Sequence, residues 1–213
     1  LAMILYGIAL VPLAEHLRTA VPNVLQIWYA DDSAFSGKAS GIKRCMEILI
    51  RLGPARGYFP EPSKSIYIGK PEHQAQAKAT LSEFNFEYTD GARYIGSFIG
   101  STESQQSWLQ PKIDKWVENV KLLSKAARRF PQTAYAGLAK SLQMEWTYLQ
   151  RVVLDILAFF EPIEEAIKSD FLPALLAGGM AETDEAFRNL TCFPVRYAGL
   201  GIPDPVKQAK RQY

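Results

Sequence analysis

Two adjacent carboxylates, Asp31 and Asp32, stand between two runs of strand formers, and this arrangement constrains the fold more than any other stretch of the chain. Val24-Leu25-Gln26-Ile27-Trp28 is apolar and rich in residues that favour strands, Tyr29-Ala30-Asp31-Asp32 follows, and Ser33-Ala34-Phe35-Ser36 runs to Gly37. The pattern predicts strand, tight acidic turn, strand. Neighbouring carboxylates repel each other. A hard cation, Mg2+ or Mn2+, relieves that repulsion; it takes one or two protein carboxylates and completes its shell with water and substrate phosphates. The alternative is a solvated β-turn, where Asp is common without any ligand.

The rest of the composition narrows the classes. A hydrophobic content of 48% against 22% charged residues describes an ordinary globular chain rather than a disordered one. Cys45 and Cys192 are far apart, form no CxxC pair and provide no disulfide framework, which fits an intracellular, reducing location, nucleus or cytoplasm. With His16 and His73 as the only histidines, a zinc knuckle is not available. A net charge of +2 is too small to argue for nucleic acid, so any such argument must rest on local patches. Residues 1–13 are apolar, but no basic region precedes them, the run is too short to span a bilayer, and it contains Pro12. They read as a buried helix continuing to about Arg18, with Leu1, Leu5, Ile8, Leu13 and Leu17 at helical steps and no membrane partner.

After the acidic turn, Ser40 is a candidate cap for an amphipathic helix carrying Ile42, Cys45, Met46, Leu49 and Leu52, stopped by Gly53-Pro54. Cys45 on that face reads as a packed thiol. Gly57-Tyr58-Phe59-Pro60-Glu61-Pro62-Ser63-Lys64-Ser65 predicts an extended loop that delivers Lys64 to a strand, Ile66-Tyr67-Ile68. A polar surface helix is expected over residues 71–83, with Pro71 in its first turn. Phe84, Phe86 and Tyr88 alternate as a strand, Thr89-Asp90-Gly91 signals a hairpin turn, and residues 93–100 return. Residues 101–106 are polar and suggest a boundary. Beyond them the pattern becomes helical, with Ile113, Trp116, Val117, Val120 and Leu123 or Leu122 as a stripe. Lys112, Lys115, Lys121, Lys125, Arg128 and Arg129 crowd the same segment against only Asp114 and Glu118. A helix with one packed and one basic face suits a phosphate backbone, although such a face is also simply well solvated. Two further helices are expected over residues 133–160 and 163–176, and a short one over residues 182–190. The tail reads Phe193-Pro194-Val195-Arg196-Tyr197-Ala198-Gly199-Leu200-Gly201-Ile202-Pro203-Asp204-Pro205; its Gly-Leu-Gly lacks the third glycine and the strand–helix context of a dinucleotide site.

Taken in this order, the segments resemble a reverse transcriptase of the non-LTR retrotransposon type. Tyr-Ala-Asp-Asp resembles the active-site hairpin of that family, the loop bearing Lys64 its loop lysine, Tyr94-Ile95-Gly96 its primer-gripping hairpin, and the words around Gly-Leu-Gly a segment downstream of the polymerase domain. The resemblance implies an α+β chain. It would comprise a partial right-hand polymerase palm, an antiparallel sheet with packed helices and the acidic hairpin, over residues 1–105. A helical thumb bundle would span residues 106–177, and a C-terminal extension residues 178–213. It further implies nucleotidyl transfer with Mg2+ or Mn2+, deoxynucleoside triphosphates, an RNA template and a DNA primer. Asp31 is then the better-placed metal ligand and Asp32 its companion, while Lys64 approaches the triphosphate. Tyr29, Tyr94, Gly96 and the basic helix would contact nucleic acid. The family's further metal-binding aspartate and its fingers would precede Leu1, so the resemblance implies that this stretch alone does not polymerise. Two other readings stay open: a non-catalytic nucleic-acid-binding relic in which Asp31 and Asp32 are vestigial, and an interaction domain in which they only make a turn.

Overall fold

A computed structural model of the chain describes residues 2–29, 32–153, 156–176 and 184–211, and shows a mixed α+β, mostly helical protein. It divides into two compact units, residues 1–92 and 93–213.

In the first unit, α1 (Ala2–Ala20) leads to a hairpin of β1 (Leu25–Tyr29) and β2 (Asp32–Ser36), then to α2 (Ala39–Leu52). The core forms where Leu10, Leu13 and Leu17 of α1 meet Cys45, Met46, Ile48 and Leu49 of α2, with Tyr58, Leu81 and Phe84 closing it. Burying each such side chain contributes about 1.5–3 kcal/mol. The first turns of α1 do not join them. Met3, Ile4, Leu5, Ile8 and Val11 are exposed, contrary to the buried helix expected there. A helix apolar nearly all round has no periodicity to say which face packs. Among the described residues, no helix is long and apolar enough to cross a membrane.

Helix α2 starts before the expected cap. Lys38, extended at φ −67° and ψ 145°, occupies the N-cap without a side-chain bond, and Ser40 lies inside the first turn. The Pro-rich approach to Lys64 is not fully extended either: short 3-10 turns form at Pro54–Arg56 and Pro62–Lys64, because each proline's fixed φ also suits a turn. Strand β3 (Ile66–Ile68) forms as expected, and α3 (Pro71–Thr80) lies on the surface with Ala77 buried.

The strands do not join into the one antiparallel sheet expected. Among the described residues there are three separate two-stranded sheets; β1 and β2 pair antiparallel, but β3 pairs in parallel with β4 (Glu87–Thr89), in the register Ile66↔Glu87, Tyr67↔Tyr88, Ile68↔Thr89. Phe84 is not in a strand. It closes a 3-10 turn (Ser82–Phe84), Asn85 is left-handed at φ 49°, and the rings of Phe84 and Phe86 stack at 5.7 Å. The alternating aromatics thus reflect packing rather than one continuous strand. Thr89-Asp90-Gly91 does turn the chain, with Thr89 Oγ1 donating to Gly91 O at 2.9 Å and accepting from Gly91 N–H at 3.2 Å, but it joins β4 to a strand of another sheet.

That strand, β5 (Gly91–Tyr94), pairs with β6 (Ser97–Gly100), so the hairpin turn is Ile95-Gly96. Both residues have positive φ, 45° and 76°, as a type I′ turn requires. Isoleucine is strained there, and Tyr148 Oη holds the turn by donating to Ile95 O at 2.8 Å. A Cβ on Gly96 would lie 3.0 Å from that hydroxyl.

The second unit is otherwise helical. Residues 101–106 are not a boundary but the start of α4 (Thr102–Ala127), whose N-cap Ser101 accepts from Ser104 N–H at 3.2 Å. Two kinked helices follow: α5 (Pro131–Gly137), a π-turn at Leu138–Leu142 and α6 (Gln143–Val152); then α7 (Glu161–Ala166), a π-turn at Ile167–Phe171 and α8 (Leu172–Leu175). Pro162 sits in the first turn of α7 instead of ending the previous helix. Ile113, Trp116 and Val120 of α4 pack into one core with Leu138, Trp146, Ile163 and Phe171. Leu123, not Leu122, continues that stripe.

The tail, α9 (Glu185–Cys192) and α10 (Pro205–Arg211), is fastened by one buried cation. Arg188 donates to both oxygens of Glu164 at 2.7 Å, to Thr191 Oγ1 at 2.9 Å and to Ile202 O at 2.8 Å. Burial pushes the Glu164 carboxyl up against the opposing pull of Arg188. The guanidinium is itself opposed by burial, yet its bonds to Glu164 hold it above its ordinary value. Arg188→Ala strands that carboxylate, and we expect a loss of about 3–5 kcal/mol in urea unfolding of the full chain. Lys43→Ala, which breaks an exposed pair with Glu83 at 2.9 Å, should leave the midpoint unchanged.

Candidate functional site

The hairpin is oriented by one of its two faces. In the antiparallel register Leu25↔Ser36 to Tyr29↔Asp32, residues Gln26, Trp28, Ser33 and Phe35 share one face, and Leu25, Ile27, Tyr29 and Asp32 share the other. The first face is anchored. Gln26 Nε2 donates to Ala14 O of α1 at 2.9 Å, and Trp28 Nε1 donates to Gln26 Oε1 at 2.9 Å. The Trp28 ring meets Phe35 and Tyr58 edge-on, at 6.1 and 5.4 Å. The Ser33 hydroxyl bonds the Tyr58 hydroxyl at 2.7 Å. The second face is therefore directed outward. Leu25 is 64% exposed and Tyr29 60%, and the Asp32 side chain is exposed with no hydrogen bond or ion pair to a described residue.

Ala30 and Asp31 lie outside the described residues, so the geometry of the site rests on Tyr29 and Asp32. The Tyr29 ring also lines an apolar trough of about 450 Å3 with Trp28 and with Met3, Ile4, Gly7 and Val11 of α1. Lys64 ends its 3-10 turn as an exposed side chain, six residues beyond the Tyr58 that bonds Ser33. A free, exposed carboxylate at the start of a strand suits a hard cation. No group of three or more acidic, histidine or cysteine side chains gathers to hold a metal among the described residues.

In the second unit, the structure sorts the basic residues. Lys121, Lys125 and Arg128, at steps of four and three along α4, line one cleft of about 670 Å3. Its far wall is Ser169, Asp170 and Pro173, from the second π-turn and α8. None of the three cations makes an ion pair with a described residue. Lys112 lies apart, over the Trp108 ring at 5.0 Å; Arg129 lies over Phe130 at 5.3 Å; Lys115 is simply exposed. Tyr94 is half-buried at the end of β5, and Gly96 forms the turn held by Tyr148. Sequence reasoning missed Tyr58, Tyr148 and the π-turn wall. Tyr58 and Tyr148 carry no local signal for partners 25 and 53 residues away.

No protein-family model matches this chain, and no curated protein or solved structure is significantly similar to it. Cys45 is packed in the first core, and burial pushes its thiol up to about 11. The thiolate forms only as pH rises through that value. Iodoacetamide at about pH 8 should leave Cys45 unmodified in the native chain and alkylate it in urea, as read by peptide mass mapping.

Proposed function

We propose that this chain is a palm-and-thumb portion of a reverse transcriptase, contributing acidic ligands and a nucleic-acid grip to RNA-templated DNA synthesis. The observation that carries the reading is the outward hairpin face, where the exposed Asp32 carboxylate has no bond to a described residue beside Tyr29 while the opposite face is bonded into the protein. Asp31 and Asp32 would hold a divalent cation, which when bound supplies the positive charge needed for attack of a primer 3′-hydroxyl on a triphosphate. The chain's own residues do the positioning. Trp28, Ser33 and Tyr58 fix the hairpin's tilt, so that Asp32 faces solvent. Tyr29 offers an exposed ring beside the acidic turn, against which a sugar-phosphate backbone can lie. Lys64 would provide an exposed cation for the triphosphate. The turn at Ile95-Gly96 would meet a primer strand on the side away from Tyr148, whose ring fills the space that a Gly96 Cβ would take. Lys121, Lys125 and Arg128 offer phosphate contacts along one helix.

The free cations of that cleft favour a second reading, a non-catalytic nucleic-acid binder. Two measurements separate them. Mn2+ binding, followed by the paramagnetic resonance of the free ion, should be weak in the native chain and lost in Asp31→Asn/Asp32→Asn. Binding to an RNA–DNA hybrid should weaken with salt, and Lys121→Gln/Lys125→Gln/Arg128→Gln should flatten the log–log slope by about 0.9 per phosphate contact removed. Asp-dependent Mn2+ binding supports the polymerase reading. Charge-dependent hybrid binding with Mn2+ binding indifferent to both aspartates leaves the second reading and removes the first.

A further inference from the structure

The tail motif around Gly-Leu-Gly has no part in the site described above, yet its loop is firmly built. Phe193 O accepts from Gly201 N–H at 2.8 Å, and Pro194 O from Tyr197 N–H at 2.8 Å. Thr191 O accepts from Leu200 N–H and Ile202 N–H at 3.2 and 3.1 Å. Tyr135 Oη donates to Leu200 O at 2.7 Å, and Arg188 pins Ile202 O from beneath. Gly199 is buried so tightly that a Cβ there would come within 2.0 Å of Phe193 O. On this pinned backbone the large side chains point away from the core: Phe193 is 53% exposed, Val195 66% and Tyr197 61%. Their exposure therefore does not come from looseness. The Arg196 guanidinium lies 4.9 Å over the Tyr197 ring. Residues 193–203 contain no carboxylate; elsewhere in the described tail, Asp184 caps α9 by accepting from Phe187 N–H, Glu185 is exposed in the first turn of α9, and Asp204 accepts from Val206 and Lys207 N–H and pairs with the Lys207 amine.

We propose that the loop at residues 193–197 is a stacking platform for single-stranded nucleic acid. Rigidly displayed aromatic faces beside an arginine, on a loop whose one charged side chain is that arginine, match what an unpaired base and its phosphate require: a π-surface to stack on and a cation for the backbone. Pre-organisation matters because a loop already fixed loses little conformational entropy when the strand arrives. A protein partner would also accept aromatic and arginine anchors, but the lack of a carboxylate in residues 193–203 and the stacked Arg–Tyr pair favour a planar base with its phosphate. The inference rests on the nucleic-acid part of the proposed function and is independent of any metal at Asp32.

The test is fluorescence anisotropy of the full chain with a labelled single-stranded RNA or DNA of about 12 nucleotides. It is joined to photocrosslinking with the same strand carrying bromouracil. The platform predicts crosslinks to Phe193 or Tyr197, about tenfold weaker binding for Phe193→Ala and for Tyr197→Ala, and near-native binding for Tyr197→Phe, which keeps the ring. Native circular dichroism checks each variant, and crosslinking of the unaltered chain stands even if a variant misfolds. Binding that survives both alanine changes, with crosslinks elsewhere, overturns the platform while leaving the basic cleft of α4 as the binding surface. Absence of any single-strand binding also overturns it, and hybrid binding by the same preparation then still decides the proposed function separately.

Discussion

A two-stranded hairpin has no core of its own, and its orientation depends on what one face can grip. Here the grip is Trp28 against Tyr58 and Phe35, reinforced by the Ser33–Tyr58 hydroxyl pair and by Gln26 on α1. An isolated hairpin is at best marginally stable in water, so these contacts decide whether the acidic turn exists as a defined object at all. They also decide its direction. With strict alternation along the strands, anchoring Trp28 and Ser33 inward sends Tyr29 and Asp32 outward. The chemistry proposed for the hairpin follows from that single alternation.

The second unit uses a different physical device. Helix α4 is long enough to bury Leu109, Ile113, Trp116 and Val120 on one side while spacing Lys121, Lys125 and Arg128 along the other. A π-turn at Ile167–Phe171 brings Ser169 and Asp170 to face those cations, converting a solvated stripe into a cleft. The buried Arg188 performs the corresponding service for the tail. A charge removed from water is costly unless every donor is used, and here the donors reach the α7 carboxylate, α9 and the backbone of Ile202.

Much of this was legible in the residues, and the failures have identifiable causes. The two strands flanking the acidic pair, the packed face of α2 and the long basic helix carried their period openly, and each formed. The parallel pairing of β3 with β4 did not, because strand pairing across some twenty residues leaves no local mark and the Phe84, Phe86, Tyr88 alternation imitated a single strand. The true hairpin turn, Ile95-Gly96, lacked the usual Asn-Gly signature and depends on a tyrosine 53 residues away. Ser101 is hidden as a cap in the sequence because the polar first turn of α4 resembles a linker. Of the site itself, the residue types were readable but the partition of the basic side chains into cleft and surface was not, since the π-turn that supplies the cleft's far wall lies some forty residues from the cations and leaves no mark on their spacing.

The central proposal is that the outward hairpin face bearing Asp32 is where this protein would hold a divalent cation. Amide NMR spectra of the full chain under Mn2+ titration test it most directly. The account predicts that paramagnetic broadening begins at Tyr29, Asp32 and Ser33 and spares the buried residues Cys45, Met46 and Leu49 of α2 until higher ion concentration. Broadening that begins instead at Asp170 or Glu164, or that is unaffected by Asp31→Asn/Asp32→Asn, would contradict it.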